Sequence, residues 1–142
     1  MIQYILDTDH VSLLRRGNAL VQQHLQRLSE KAAAISVITI EEQVQGWLNE
    51  IRKASATSQF QRLCYAYWSL GDIVAYLNEF PRLDFDATAC GRFVELRQQG
   101  VRIGTQDLRI AAIALTQNLI LVTRNHRDFA QVPNLQIENW SI

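Results

Sequence analysis

Short runs of apolar residues alternate along the chain with longer segments whose apolar positions recur at helical spacing. Ile2-Gln3-Tyr4-Ile5-Leu6 predicts a strand that ends at Asp7, and the apolar positions from Val11 onward predict a helix directly after it. The pattern predicts further strands at 34–38, 119–123 and 135–138, and further helices at 20–28, 39–47, 55–79, 86–99 and 108–115. Strands separated by helices predict an α/β fold in which helices cover both faces of a central, mostly parallel sheet.

Several polar residues and glycines mark where these helices begin and end. Thr39-Ile40-Glu41-Glu42 has the Thr-x-x-Glu form of a capping box, which predicts a helix N-terminus there. Asp9 is the predicted N-cap of the first helix. Gly100 and Asn118 are expected to end two later helices in the left-handed conformation. The segment 55–79 is predicted to form one long helix or a bent pair, because Gly71 interrupts its pattern.

Composition limits the class of protein. The 142 residues are 48% hydrophobic and 20% charged, which is typical of one globular domain, assigned to residues 1–142. No segment approaches the roughly 18 apolar residues of a membrane span, and the start lacks a basic signal-peptide region, so we expect a cytoplasmic protein. Basic and acidic residues number 14 each, which excludes a polycation that binds nucleic acid by net charge alone. Cys64 and Cys90 lack partners at ligand spacing and are predicted to be small buried residues.

Three acidic residues fall where strands lead into helices. Asp7 ends the first strand, Glu42 lies in the first turn of the helix after the second strand, and Asp107 opens the buried helix. In a parallel sheet these turns share one edge, so the three carboxylates are expected to converge. Clustered carboxylates need cations, and Mg²⁺ or Mn²⁺ prefer oxygen ligands and activate water toward a phosphodiester. The pattern therefore predicts metal-assisted phosphodiester hydrolysis.

Each acid also has a local structural explanation. Glu42 could cap its helix, and Asp107 could be an N-terminal acid that the helix macrodipole favours. Asp7 is harder to explain in this way, because a carboxylate next to a buried strand needs partners. Local spacing alone leaves these alternatives open for Glu42 and Asp107.

The order and spacing of several segments resemble the PIN-domain family, in particular the VapC-like toxins of type II toxin–antitoxin systems. The matching segments are residues 5–9, 36–46, 103–112, 122–129, 132–135 and 138–140. The resemblance implies a PIN-like three-layer α/β/α fold and an endoribonuclease that depends on Mg²⁺ or Mn²⁺. It further implies an RNA substrate, a homodimer and a small antitoxin that occupies the active site.

The same resemblance assigns residues to roles. Asp7 and Asp107 match the principal metal-ligand aspartates, and Glu42 matches the middle acid. Asn125 stands where the family often has a fourth acid, and because it adds no charge a second metal is expected to bind more weakly. Asp128 could replace that acid if its turn is helical, or it could be a simple turn or cap residue.

Other residues are candidates for supporting roles. Thr123 and Thr105 could hydrogen-bond the ligands or water, and the basic residues that could flank the cleft for RNA are Arg15, Arg16, Arg109, Arg124 and Arg127. His10 stays outside the catalytic set, because the metal-and-water mechanism needs no proton shuttle. An exposed apolar patch for a second copy or an antitoxin is predicted on one helix, from Phe60, Leu63, Tyr67 and Trp68.

Two other functions compete with this interpretation. Asp7-Thr8-Asp9-His10-Val11 also fits the D-x-D-x-[TV] opening of haloacid-dehalogenase-like phosphatases, which form an aspartyl phosphate. Those enzymes need a later lysine, and the chain has none after Lys53. The second alternative, suggested by Asn125, is a PIN-fold module that binds RNA or antitoxin without catalysis.

Overall fold

A five-stranded parallel sheet forms the centre of the computed structural model, which describes residues 1–142. The strand order is β3-β2-β1-β4-β5. The strands are β1 (Tyr4–Leu6), β2 (Ala33–Ser36), β3 (Arg82–Leu83), β4 (Ile120–Val122) and β5 (Ile137–Glu138). The seven helices are α1 (Thr8–Arg15), α2 (Ala19–Gln26), α3 (Val37–Ala56), α4 (Phe60–Leu77), α5 (Ala87–Gln98), α6 (Thr105–Thr116) and α7 (His126–Phe129). The predicted α/β class with a parallel sheet is therefore confirmed.

Two hydrophobic cores cover the two faces of the sheet, because successive strand residues point to opposite sides. Ile5 lies on one face with the residues paired to it on β2 and β4, and α5, α6 and α7 cover that face. Leu6 lies on the other face, which α1, α2 and α4 cover. This arrangement is the predicted three-layer α/β/α fold, and it explains why the strands are apolar throughout.

Two helix N-termini differ from the sequence prediction. The N-cap of α1 is Asp7, whose side chain accepts a hydrogen bond from the His10 backbone N–H, so the assignment of Asp9 as N-cap is wrong. The N-cap of α3 is Ser36, whose hydroxyl accepts a hydrogen bond from the Thr39 N–H at 3.1 Å. The capping box predicted at Thr39 is therefore wrong, since the helix has already begun at Val37.

The predicted helix ends agree with the structure at two positions. Gly100 and Asn118 follow α5 and α6 with φ of 90° and 55°, the left-handed conformation expected of them. Helix α4 is one helix through Gly71, and not the bent pair that was the alternative. Ala66, Ser69 and Ile73 form its buried side, and Gly71 lies exposed. None of the helices is both long and apolar enough to cross a membrane.

The prediction that the cysteines are buried is wrong. Cys64 and Cys90 are both exposed, on α4 and α5. The burial pattern of α5 explains the error for Cys90, because the helix directs the neighbouring Ala89, and not Cys90, into the core. On α4 the residue two positions beyond Cys64, Ala66, is the buried one. Small apolar character alone does not determine which side of a helix faces the sheet.

The C-terminal segment is anchored in the core by Trp140, which is almost completely buried. Its ring stacks on His24 at a centroid distance of 5.4 Å and contacts the edge of Tyr4 at 5.2 Å. The indole N–H donates a hydrogen bond to the Glu138 carboxylate of β5. The end of the chain is thereby fixed beside the N-terminal strand.

The connections between strands place a crevice at the centre of the sheet. The chain leaves β1 toward β2 on one side and leaves β4 toward β5 on the other, although β1 and β4 are neighbours. A crevice therefore opens between the carboxyl ends of β1 and β4, the position at which open parallel sheets bind ligands. Asp7 directly follows β1, and Thr123 directly follows β4.

Candidate active site

A polar cavity of about 400 Å³ lies at this crevice. Its lining residues are Asp7, Thr8, Asp9, Glu42, Asp107, Arg124, Asn125 and Phe129. The structure thus brings the three predicted acids to one place, together with Asn125 and one of the five candidate arginines. Four of the lining side chains are carboxylates, so the cavity is strongly acidic.

Asp7 presents a single free carboxylate oxygen to the cavity. Its Oδ1 accepts hydrogen bonds from the His10 backbone N–H at 2.7 Å and lies 3.2 Å from His10 Nδ1. Its Oδ2 has no hydrogen-bond partner in the protein and is not sealed from solvent. The residue is only 7% exposed, so its orientation is set by burial and by these contacts.

Glu42 is held in place by a hydroxyl from the neighbouring helix. Thr8 Oγ1 donates a 2.6 Å hydrogen bond to Glu42 Oε1 and lies 3.0 Å from the Thr39 hydroxyl. Glu41 points elsewhere, as expected of the adjacent helical residue, and accepts a hydrogen bond from Gln106. The structure therefore places Glu42, and not Glu41, at the cavity.

Asp107 is a partly buried carboxylate without a hydrogen-bond donor or a positive partner in the protein. Burial is the largest cause that raises its pKa to about 6, and the negative charges of Glu42, Asp7 and Asp128 contribute to the same shift. The mutual repulsion shows that these acids share one electrostatic environment. A divalent cation would remove that repulsion.

Asp9 is neutralised by an ion pair across the cavity rim. Arg124 donates two hydrogen bonds to the Asp9 carboxylate, at 2.7 and 2.8 Å, and this contact lowers the pKa of Asp9. The second aspartate of the D-x-D-x-V pattern is therefore committed to an arginine. In the phosphatase alternative it would have to be a free general acid.

Ligand atoms of Asp7, Asp9 and His10 also lie within 4.8 Å of one another. Most of these atoms already have partners. His10 Nδ1 faces Asp7, His10 Nε2 accepts a hydrogen bond from the Trp140 N–H, and both Asp9 oxygens contact Arg124. The oxygens available for a cation are instead those of Asp7, Glu42 and Asp107 that face the cavity.

Asn125 and Asp128 form one local unit at the start of α7. The Asn125 side chain caps the helix by accepting from the Asp128 N–H at 3.3 Å, and its Nδ2 donates to Asp128 Oδ2 at 3.0 Å. The turn is therefore helical, and the cap residue is Asn125 and not Asp128. Thr123 is buried and its hydroxyl accepts from the Asn125 N–H, whereas Thr105 is exposed and contacts Arg97.

The candidate arginines are distributed around the site rather than gathered in it. Only Arg124 lines the cavity. Arg15 pairs with Asp72 and lies over the Tyr76 ring. With the exposed Arg16 it lines a separate groove formed by α1, α3 and α4. The remaining two lie on other surfaces: Arg109 packs against Phe85 and Phe93, and Arg127 is exposed on α7.

Two residues that contact the acids were not predicted from the sequence. In the sequence Thr8 stands out only as part of the Asp7-Thr8-Asp9-His10-Val11 pattern, and the metal-and-water mechanism gives His10 no role. His10 occupies a position on the buried side of α1 together with Val11 and Leu14. A polar residue on such an apolar stripe predicts a buried hydrogen-bond partner, and that signal was available in the sequence.

Comparisons with known proteins give a consistent result. Residues 4–135 match the PIN domain family. The chain is 30% identical over 99% of both chains to Ribonuclease VapC2 of Haemophilus influenzae. It is also 30% identical to the tRNA(fMet)-specific endonuclease VapC of Shigella flexneri, over 99% of this chain and 100% of that one.

A third relative has a solved structure. The chain is 41% identical to Ribonuclease VapC2 of Rickettsia felis over 69 residues. This stretch covers 46% of the chain and 52% of that protein. The crystal structure of VapBC2 from Rickettsia felis bound to a promoter DNA fragment matches 99% of both chains, with 30% identity and a TM-score of 0.74.

Proposed function

The chain belongs to the PIN-domain family and is related to its VapC ribonucleases, and from this we propose that it is a metal-dependent endoribonuclease, the toxin of a type II toxin–antitoxin pair. The observation that carries the proposal is the meeting of Asp7, Glu42 and Asp107 in one cavity at the crevice of the sheet. We also propose a cytoplasmic location, because a toxin that cleaves RNA acts where cellular RNA is found.

The donor set suits Mg²⁺ or Mn²⁺. All three side chains offer carboxylate oxygens, and Asp107 has no positive partner of its own. Asp7, Glu42 and Asp107 would hold the ion. When bound, such an ion supplies Lewis acidity toward a phosphodiester and lowers the pKa of a bound water, which makes that water a better source of the nucleophile.

The remaining residues of the cavity orient these acids and the substrate. Thr8 fixes Glu42 through its 2.6 Å hydrogen bond, which limits the rotation of a flexible side chain. Arg124 brings the only guanidinium of the cavity to its rim, where it can contact a phosphate of the RNA. Its pairing with Asp9 keeps that guanidinium in position.

Asn125 determines how many ions the site retains. Its carbonyl already caps α7, and its amide holds Asp128. The charge of Asp128 reaches Asp107, so Asp128 partly replaces the acid that Asn125 lacks. We propose one tightly held ion, with a second bound more weakly.

The proposed protein partners are an antitoxin and a second copy of the chain. Of the four residues of the patch predicted on α4, Phe60, Tyr67 and Trp68 are 79%, 58% and 63% exposed, whereas Leu63 is only partly exposed. Adjacent exposed aromatics are typical of surfaces that a partner covers. Sedimentation at micromolar concentration tests the homodimer, and a strictly monomeric protein would contradict it.

Cleavage of RNA by the purified chain tests the enzymatic proposal. Total tRNA and a synthetic RNA are incubated with Mg²⁺ or Mn²⁺, with and without EDTA, and the products are resolved on gels. We expect cleavage that EDTA abolishes and that Glu42→Gln eliminates. Glu41→Gln is the matched control, because the adjacent carboxylate does not line the cavity. RNA binding without cleavage would instead support the non-catalytic binding module suggested by Asn125.

A further inference from the structure

We infer that His10 is a positioning residue for Asp7, and that the main chain of Trp140 determines which nitrogen of the His10 ring carries the hydrogen. His10 is completely buried within α1. One ring nitrogen contacts the proposed metal ligand, and the other contacts the C-terminal segment. The inference deepens the proposed function, because a positioned Asp7 matters for catalysis only if Asp7 holds the ion.

The hydrogen-bond network allows one form of the ring. The Trp140 backbone N–H can only donate, and it lies 3.3 Å from His10 Nε2, so Nε2 must carry the lone pair. The ring hydrogen is then on Nδ1, which lies 3.2 Å from Asp7 Oδ1, an acceptor. In the opposite tautomer, the Nε2–H group would face the backbone N–H of Trp140. The lone pair of Nδ1 would face an oxygen of Asp7.

This contact fixes the orientation of the Asp7 carboxylate. The terminal torsion of an aspartate is soft, so burial alone does not fix the plane of its carboxylate. Oδ1 accepts from both the backbone N–H and Nδ1–H of His10, which approach from the first turn of α1. One oxygen is thereby tied to His10, and the other is left free in a fixed orientation toward the cavity.

The other end of this network is rigid. Trp140 is held by stacking on His24, by edge contact with Tyr4 and by its hydrogen bond to Glu138. Its backbone N–H therefore stays directed at His10. The His10 ring thus contacts a residue that lies 130 positions further along the chain. The C-terminal segment thus contributes to the acid site without lining it.

The tautomer can be observed directly in the wild-type protein. Long-range ¹H–¹⁵N NMR spectra of protein labelled at its three histidines distinguish a protonated Nδ1 from a protonated Nε2. The His10 signals are assigned by their absence from the His10→Asn spectrum. We expect a pyrrole-type Nδ1 and a pyridine-type Nε2. A protonated Nε2, whether in the neutral ring or in an imidazolium, would overturn the inference.

Two substitutions separate hydrogen bonding from packing. His10→Leu fills the buried space with an apolar side chain and removes the donor to Asp7. His10→Asn places an amide donor near the position of Nδ1. Mn²⁺ affinity, measured by electron paramagnetic resonance, is expected to fall about tenfold or more in His10→Leu, which is typical when a partner of a metal ligand is lost. His10→Asn is expected to recover most of that loss. His126→Asn, at an exposed histidine of α7, is the control.

Equal Mn²⁺ affinity in His10→Leu and wild type would overturn the inference, as would equal losses in both His10 variants, which would mean that the ring only fills space. If His10→Leu does not fold, the wild-type NMR spectrum and His10→Asn decide the question. If the wild-type protein binds no Mn²⁺, the proposed metal site fails. The tautomer then still confirms or refutes the contact between His10 and Asp7.

Discussion

Replacing Asp107 with asparagine is expected to stabilise the protein when no divalent ion is present. The pKa of Asp107 is raised from 3.8 to about 6 by burial and by the neighbouring acids. A raised pKa means that the folded state disfavours the ionised carboxylate. The stability that protonated Asp107 contributes is therefore fully present below about pH 4, and it is lost as the pH rises through about 6 and the carboxyl ionises. Asparagine is nearly isosteric and carries no charge to repel.

The size of the effect follows from the same pKa. The difference between the pKa values of 3.8 and about 6 corresponds to about 3 kcal/mol at neutral pH. Partial solvent exposure of Asp107 reduces the expected gain in stability to about 1–2 kcal/mol. For a chain of this length the melting temperature should rise by about 3–8 °C. Near pH 4, where the wild-type carboxyl is protonated, the gain should nearly disappear.

Thermal and urea denaturation in EDTA at about pH 7.5 and about pH 4 measure this difference. Adding Mg²⁺ should then stabilise the wild type and have little effect on Asp107→Asn, because the variant has lost a ligand. Asp84→Asn, which removes an exposed acid paired with Arg82, is the matched control. An Asp107→Asn protein that is less stable than wild type in EDTA at neutral pH would refute the reasoning, as would a gain that does not depend on pH.

Three further predictions concern the residues around the acids. Thr8→Val removes the donor to Glu42 and should lower the cleavage rate about tenfold and the free energy of unfolding by about 1 kcal/mol. Single-turnover assays and urea denaturation measure the two effects, and an unchanged rate would contradict the role of Thr8. Arg124→Gln breaks an exposed pair and should change the free energy of unfolding by less than about 1 kcal/mol. Its KM for RNA should nevertheless rise and depend less on salt, and an unaltered KM would argue against phosphate contact. Asn125→Asp should tighten binding of a second Mn²⁺ in a titration, whereas unaltered stoichiometry and affinity would show that the position does not face the ion.

The sequence predicted the elements with strong local patterns and failed on those that depend on pairing across the fold. The first strand and the first helix follow from an apolar run and a polar turn. Strand β3 and helix α7 have only two and four residues, so neither shows a period. The start of α3 differs from the prediction because Ser36 and Thr39 both offer a hydroxyl. The Ser36 hydroxyl accepts from the Thr39 N–H, whereas the Thr39 hydroxyl contacts Thr8.

The acidic residues of the candidate site were visible in the sequence, but their contacts were not. Asp7 and Asp107 stand out because they follow or open buried segments. The pairing of Asp9 with Arg124 joins residues 115 positions apart, and only the strand order places them together. The same holds for His10 and Trp140. Local spacing predicts which residues could do chemistry, whereas the partners that orient them come from the topology.

The central position of β1 has a consequence for the synthesis of this protein. β1 is synthesised before both of its partners, and it pairs on one side with β2 and on the other side with β4, which ends only at Val122. Asp107 also enters late in translation, at a rate of about 5–20 residues per second. A growing chain therefore carries no assembled acid cavity until most of its residues have been added. The complete cavity can form only after synthesis has passed β4 and the Asn125 and Phe129 that line it.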